Sequence, residues 1–279
     1  MKLRILFVLA LCSIMLVASV ACKAGSSYGG MTAEQIIQNM EAAALSRSSV
    51  HLEGTEIVSG TVQETWGEQS LINMVANITG DIDTKNLELS MNIDMDMNMT
   101  TGGHTENQMM NMQMYLVDGW MYEGMDMMGK NYWYKIDFTD VFDEMYEQQR
   151  DSMLQSEELI EDAIEVNVVD EETVNGVVCW KLDIQPDLER LFDWAQSEMS
   201  DIIGNLPSDV DLGEMFQDIA VTEWVAKDTY YPIRCDMTMT MNIEGAEFDA
   251  SATMNYSNFN QPVTITLPAA AIAAEEISY

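Results

Sequence analysis

Residues 87–99 read LELSMNIDMDMNM. Leu87, Leu89, Met91, Ile93, Met95, Met97 and Met99 hold every odd position, and Glu88, Ser90, Asn92, Asp94, Asp96 and Asn98 every even one. A period of two kept this long is an antiparallel strand with one apolar face and one wet face. Residues 235–243 repeat it: Cys235, Met237, Met239, Met241 and Ile243 alternate with Asp236, Thr238, Thr240 and Asn242. Phe248–Tyr256 alternates as well. Working outward, Val50–Thr65 and Leu71–Thr79 are weaker strands. Met110, Met112 and Met114 begin another, with a turn at Asp118-Gly119, and Tyr132–Phe138 follows. Val166–Val169 and Val177–Ile184 flank a turn at Asn175-Gly176. Val221–Ala226 leads to a turn at Lys227-Asp228, and Val263–Leu267 is expected to close the β part.

Thr32-Ala33-Glu34-Gln35 is a capping box, followed by Ile36, Ile37, Met40, Ala43 and Ala44 at helical spacing, so a helix is expected to end near Ser46. Asp140–Ala163 also reads as helical. Pro186 opens a further helix whose Leu188, Leu191, Phe192, Ala195, Met199 and Ile202 share one face, and Pro207–Phe216 reads as a loop. The strands before and after these helices look alike. The expected fold class is therefore α+β: one antiparallel sheet with inserted helices and no domain boundary inside 31–279.

The chain has 279 residues and 47% hydrophobic residues, enough for a sizeable core. Twelve Lys and Arg against 47 Asp and Glu give a net charge of −35. Phosphate recognition needs clustered basic residues, so nucleic acid is excluded as a partner. Only His51 and His104 are present, which argues against His-based zinc sites and Ser-His-Asp catalysis. G-x-S-x-G, P-loop and dinucleotide-binding fingerprints are absent. A non-enzymatic role without cofactor or dedicated metal is expected.

Residues 1–21 read as an export signal: Lys2 and Arg4, then the apolar run Ile5–Val20, then small residues before Cys22. Ser19-Val20-Ala21-Cys22 resembles the lipobox of prokaryotic lipoproteins, with Ser19 where Leu is usual. The resemblance implies cleavage before Cys22 and a diacylglyceryl group on its thiol. An uncleaved N-terminal membrane anchor is the alternative. Cleavage would leave 10 basic against 47 acidic side chains, a net −37. Residues 22–30, Gly-rich and polar, read as a flexible tether, and 31–279 as the folded domain.

Several phrases resemble envelope proteins of the LolA/LolB and LppX/LprG type. They are Met31–Ile37, Met114–Tyr122, Tyr132–Lys135, Val174-Asn175-Gly176 and Glu223–Arg234. That family implies a strongly curved antiparallel half-barrel with helices on or plugging its concave side, holding a lipid or another hydrophobic molecule. Cys22 sets the chain nearer the membrane-anchored members. The protein would then be exported and held on the outer face of a prokaryotic membrane, with no protein partner indicated.

Twenty-five methionines are the chemical anomaly. At strand spacing their thioethers share one face. That face is either a core filled by a permissive residue or a lining for acyl chains of variable shape, which unbranched, polarisable Met suits. The expected lining is Leu87, Leu89, Met91, Ile93, Met95, Met97, Met99, Met112, Met114, Met237, Met239, Met241 and Ile243. Cu(I) binding by Met109, Met110, Met112, Met114, Met125, Met127 and Met128 is a third reading. Cys179 and Cys235 could pair in an exported protein. However, with 221–226 placed between their strands they would stand ~9.6 Å apart, beyond disulfide reach, which favours two buried thiols. Asn77, Asn98 and Asn255 head glycosylation sequons. The acidic residues otherwise read as a solvated face.

Overall fold

The computed structural model describes residues 23–24, 27–28, 30–63, 69–127, 129–138, 164–186, 216–243 and 246–277. The signal segment, Cys22 and the helix expected over 140–163 lie outside these residues, as do the helix expected to open at Pro186, beyond Pro186 itself, and residues 207–215 of the expected loop; Pro186 ends a strand instead and Phe216 begins one. The chain order is β1 (Lys23–Ala24), β2 (Ser27–Tyr28), β3 (Met31–Thr32), α1 (Ala33–Ser46), β4 (Ser49–Gln63), β5 (Gln69–Asp83) and β6 (Glu88–Thr101). There follow β7 (His104–Val117), β8 (Trp120–Met127), β9 (Lys130–Asp137), β10 (Ile164–Val174) and β11 (Val177–Pro186). The last are β12 (Phe216–Ala226), β13 (Pro232–Ile243), β14 (Ala246–Ser257), α2 (Ala269–Ile272) and β15 (Glu275–Glu276).

Among the described residues, thirteen strands form one sheet in the order β1-β10-β11-β12-β13-β14-β4-β5-β6-β7-β8-β9-β15. The sheet is not closed into a barrel and fits a curved half-barrel. Two antiparallel meanders, β4–β9 and β10–β14, are joined where β14 pairs with β4. The two outermost pairings, β1 with β10 and β15 with β9, are short and parallel. Lys23–Ala24 and the β2–β3 pair thus take up strand pairing within or beside the stretch expected as tether.

Local chemistry sets the corners. Asp118-Gly119 and Asn175-Gly176 both place two successive residues at positive φ, as the expected tight hairpins require. Gly102-Gly103 does the same between β6 and β7. Register shifts at Val168/Asp170, Gln217/Ala220 and Trp224/Val225 bend the β10–β13 half, since a bulge sharpens local twist. Thr32 caps α1 with the reciprocal bonds expected of a capping box: its Oγ1 accepts from Gln35 N, and its own N–H donates to Gln35 Oε1.

Two expectations are corrected. Leu87 is a turn residue with φ 56° and 41% exposure, because Thr84–Leu87 forms the bend between β5 and β6. The segment Val263–Leu267, expected as a strand, has no regular secondary structure and joins no ladder. β14 is already paired on both sides, by β13 and β4, so the sheet offers no edge there.

Alternation assigns the faces. Val50, Leu52 and Val58 of β4, Met74, Ala76 and Ile78 of β5, and Met91, Ile93 and Met95 of β6 point inward. They join Ala33, Ile36 and Ile37 of α1 in one core. Gly54 of β4 also faces inward, where a Cβ would stand 2.8 Å from Met254 Sδ and 2.8 Å from the Thr253 carbonyl oxygen. The thioether can turn away, but the backbone oxygen cannot. Gly54→Val is expected to destabilise the domain by about 1–3 kcal/mol through overpacking. A thermal melt followed by circular dichroism should show a midpoint lower by several degrees.

Candidate functional site

The inward face is built from cross-strand methionine pairs. Met74 stands opposite Met97, Met95 opposite Met110, Met91 opposite Met114, and Met112 opposite Met125. Met237, Met239 and Met241 continue it on β13. Met91, Ile93, Met95, Met112, Met237, Met239 and Met241 are buried, while Leu89, Met97 and Met114 are half-buried against them. Met99 is half-buried at the strand end, and Ile243 ends β13 with its side chain outside the described residues. The expected lining is therefore brought together on one face, apart from Leu87 and with Ile243 outside the described side chains.

A cleft of about 730 Å³ opens where β7 runs past the shorter β8. Inward Met95, Met97, Met99 and Met110 line one part of it, and outward Asp94, Asp96, Asn107 and Asn111 another. Of the seven methionines read as copper ligands, Met109 is 72% exposed and projects from the opposite face to Met110 and Met112. Met128 and the side chain of Met127 lie outside the described residues. Cys179 and Cys235 are both free. β12 separates their strands as expected, and the two thiols also belong to different clusters on opposite faces. Cys179 packs with Trp224, Ala226 and Ile233, whereas Cys235 packs against the inward core. The disulfide is thereby excluded. Asn77, Asn98 and Asn255 all occupy outward positions.

Periodicity alone did not single out three glutamates at inward positions. Glu56 of β4, between Gly54 and Val58, is 2% exposed. Glu123 of β8 stands opposite Met114, and burial raises its carboxyl; the Tyr134 hydroxyl donates to it. Glu223 of β12 lies between Leu182 of β11 and Cys235 of β13. Burial pushes its carboxyl up to about 7 and the Cys235 thiol up to about 12. Tyr256 shares that corner, its ionisation opposed first by burial and then by Cys235 and Glu223. A signal was present in each case: these glutamates keep the phase of apolar neighbours such as Val221 and Val225, or Met121 and Met125.

The chain belongs to a family of unknown function, DUF6612, whose family model matches residues 32–276. No curated protein matches it. Among solved structures, it is similar to a DUF1329 family protein from Desulfovibrio piger ATCC 29098. The identity is 12%, covering 83% of this chain and 95% of that one, with a TM-score of 0.25. It is also similar to a domain from Vibrio parahaemolyticus named for outer membrane lipoprotein sorting. There the identity is 11%, covering 83% and 93%, with a TM-score of 0.23. At that degree of superposition neither likeness bears on function.

The Glu223 carboxyl has a measurable consequence. Its folded value of about 7 exceeds the ordinary 4.5, so the folded state holds the proton more tightly. Its contribution to stability is full below about 4.5 and is lost as pH rises through about 7. Cys235 and Tyr256 face it and stay neutral across that range. Glu223→Gln should melt close to wild type at acidic pH and above it at pH 8. Melting temperatures of both proteins across that range test this; a constant difference would contradict it.

Proposed function

We propose that this protein is a cell-envelope lipoprotein that binds a lipid or another hydrophobic molecule against its methionine face, without enzymatic chemistry. Acylated Cys22 would hold it on the outer face of a prokaryotic membrane. The observation that supports the reading is the continuous methionine surface, with Met74–Met97, Met95–Met110 and Met91–Met114 lying side by side across the three strands β5, β6 and β7. A core with one packing solution favours Leu, Ile and Val. Thioethers instead adapt to a partner of variable shape. Each methylene leaving water contributes about 0.8 kcal/mol, so a long acyl chain gains on the order of 10 kcal/mol before the cost of ordering it.

A second reading has its own support. Met241, Met91 and Ile93 are nearly inaccessible, as in a filled core. On that reading the domain is a structural or interaction module that works through its acidic outer face.

Native mass spectrometry separates the two. A mature chain with Cys22→Ser, purified from a membrane-rich host without detergent, is expected to carry a stoichiometric adduct that extracts into organic solvent. Met95→Asp, which sets a charge at the cleft, should lose most of that adduct. A bare mass that stays bare after incubation with phospholipid and fatty acid would favour the filled-core module.

A further inference from the structure

A wall that held only hydrocarbon would have no use for the polar corner at Glu223. No hydrogen bond or ion pair to the Glu223 carboxyl occurs among the described residues, and the side chain is half-buried at an inward position. Tyr256, 6% exposed, lies close enough to feel Glu223, Cys235 and Arg47, yet its buried Oη has no hydrogen-bond partner. Arg47, where the chain leaves α1, likewise buries an unpartnered Nε. Glu223 and Tyr256 thus leave acceptor oxygens unused at one end of an apolar face, with Arg47 on the far side of the phenol. Native interiors rarely tolerate this unless a ligand or a reaction takes the groups up.

We propose that this corner receives the head group of the bound amphiphile, and that the head group is a protonated amine held by the Glu223 carboxylate and the Tyr256 hydroxyl. The inference rests on the carrier reading and names its ligand class. The charge balance points the same way. Arg47 brings a cation to this corner, but Glu56 and Glu123 also face inward and the whole chain carries −35, so the surrounding field favours a cationic head over an anionic one. Glu56 lies three strands from Glu223, roughly 14 Å across the sheet, and adds to the field without touching the head. Arg47 sets the position: the amine sits on the Glu223 side of the phenol, with both oxygens as acceptors. From this corner the row Cys235, Met254, Gly54, Ile78 and Ile93 crosses the sheet to β6, the strand that carries Met95 and the cleft, which is where the tail is expected to lie.

Three probes of equal chain length test this: dodecylammonium, dodecanol and dodecanoate. Each is titrated calorimetrically below its aggregation concentration into the mature Cys22→Ser chain. Salt at about 0.5 M shortens the Debye length to a few ångströms and suppresses attraction to the acidic surface. A charge-assisted hydrogen bond to the half-buried carboxyl is expected to make dodecylammonium about tenfold tighter than dodecanol, with dodecanoate weakest. Glu223→Gln should bring amine and alcohol together, whereas Glu247→Gln, on the exposed outer side, should keep them apart. Tyr256→Phe, which retains the ring, should narrow the gap and guards against misfolding of the first variant. Dodecanoate binding as tightly as the amine, or an amine preference that survives Glu223→Gln, would overturn the head-group assignment and leave the carrier reading standing. Binding of none of the three would overturn both.

Discussion

Everything on the inward face depends on one ladder, the antiparallel pairing of Glu247–Ser257 on β14 with His51–Thr61 on β4. Each meander could form from local hairpins, but neither alone makes the half-barrel. The β14–β4 join brings residues about two hundred positions apart into register, and loop closure over that span must be offset by the ladder itself and the packing behind it. Eleven consecutive residue pairs, with Met254 seated over Gly54 and Tyr256 beside Leu52, provide that. A slip of one residue would turn Val50, Leu52 and Val58 outward and bring their polar neighbours in. The same join makes β12, with Glu223, and β6, with its methionines, parts of a single wall.

That wall is unusual in combining soft apolar side chains with carboxylates. Methionine has three rotatable bonds, so such a face can be well filled without one rigid packing solution. A carboxylate in such surroundings has no comparable freedom and must find a donor, a counter-ion or a proton. Glu123 finds the Tyr134 hydroxyl. Glu223 instead shifts to about 7 beside a neutral thiol and a neutral phenol. The apolar environment fixes how costly the charge is, and the register of β12 fixes where that cost falls.

Much of this was legible before any coordinates. The odd positions of 89–99 and 235–241 point inward, and the Asp-Gly and Asn-Gly pairs turn as expected. The thioethers of β6 and β13 share a face because a period of two leaves no other arrangement. Leu87 shows where that reasoning stops, since alternation does not say where a strand yields to its turn. The cysteines show a second limit. Distance across β12 argued against a disulfide, but the opposite facing of the thiols depends on how β11 and β13 register against β12, and a bulge sits in one of those pairings. The β14–β4 join has no local signature, because a polar-apolar alternation suits any neighbour of matching length.

The outward face explains how a chain with −35 of charge sustains so long a sheet. Neighbouring carboxylates across strands repel, and β6 sets Asp94 and Asp96 beside β7. β7 answers with amides. Asn111 Nδ2 donates to Asn92 Oδ1 and to Asp94 Oδ1, each at 2.8 Å, and Asn107 Nδ2 donates to Asp96 Oδ1 at 3.0 Å and Asn98 Oδ1 at 3.1 Å. An amide gives each carboxylate a donor without adding a positive charge, so the face stays acidic while its ladder stays satisfied. On β13 the same need is met by charge: Arg234 forks onto Asp236 with two bonds of 2.7 Å, and Thr253 adds a third donor. Outside, then, acidity is distributed and provided with donors; at the inward Glu223 corner it is concentrated in one carboxyl. The contrast between the two faces, more than the total charge, separates a solubilising surface from a place where a cationic group would gain by binding.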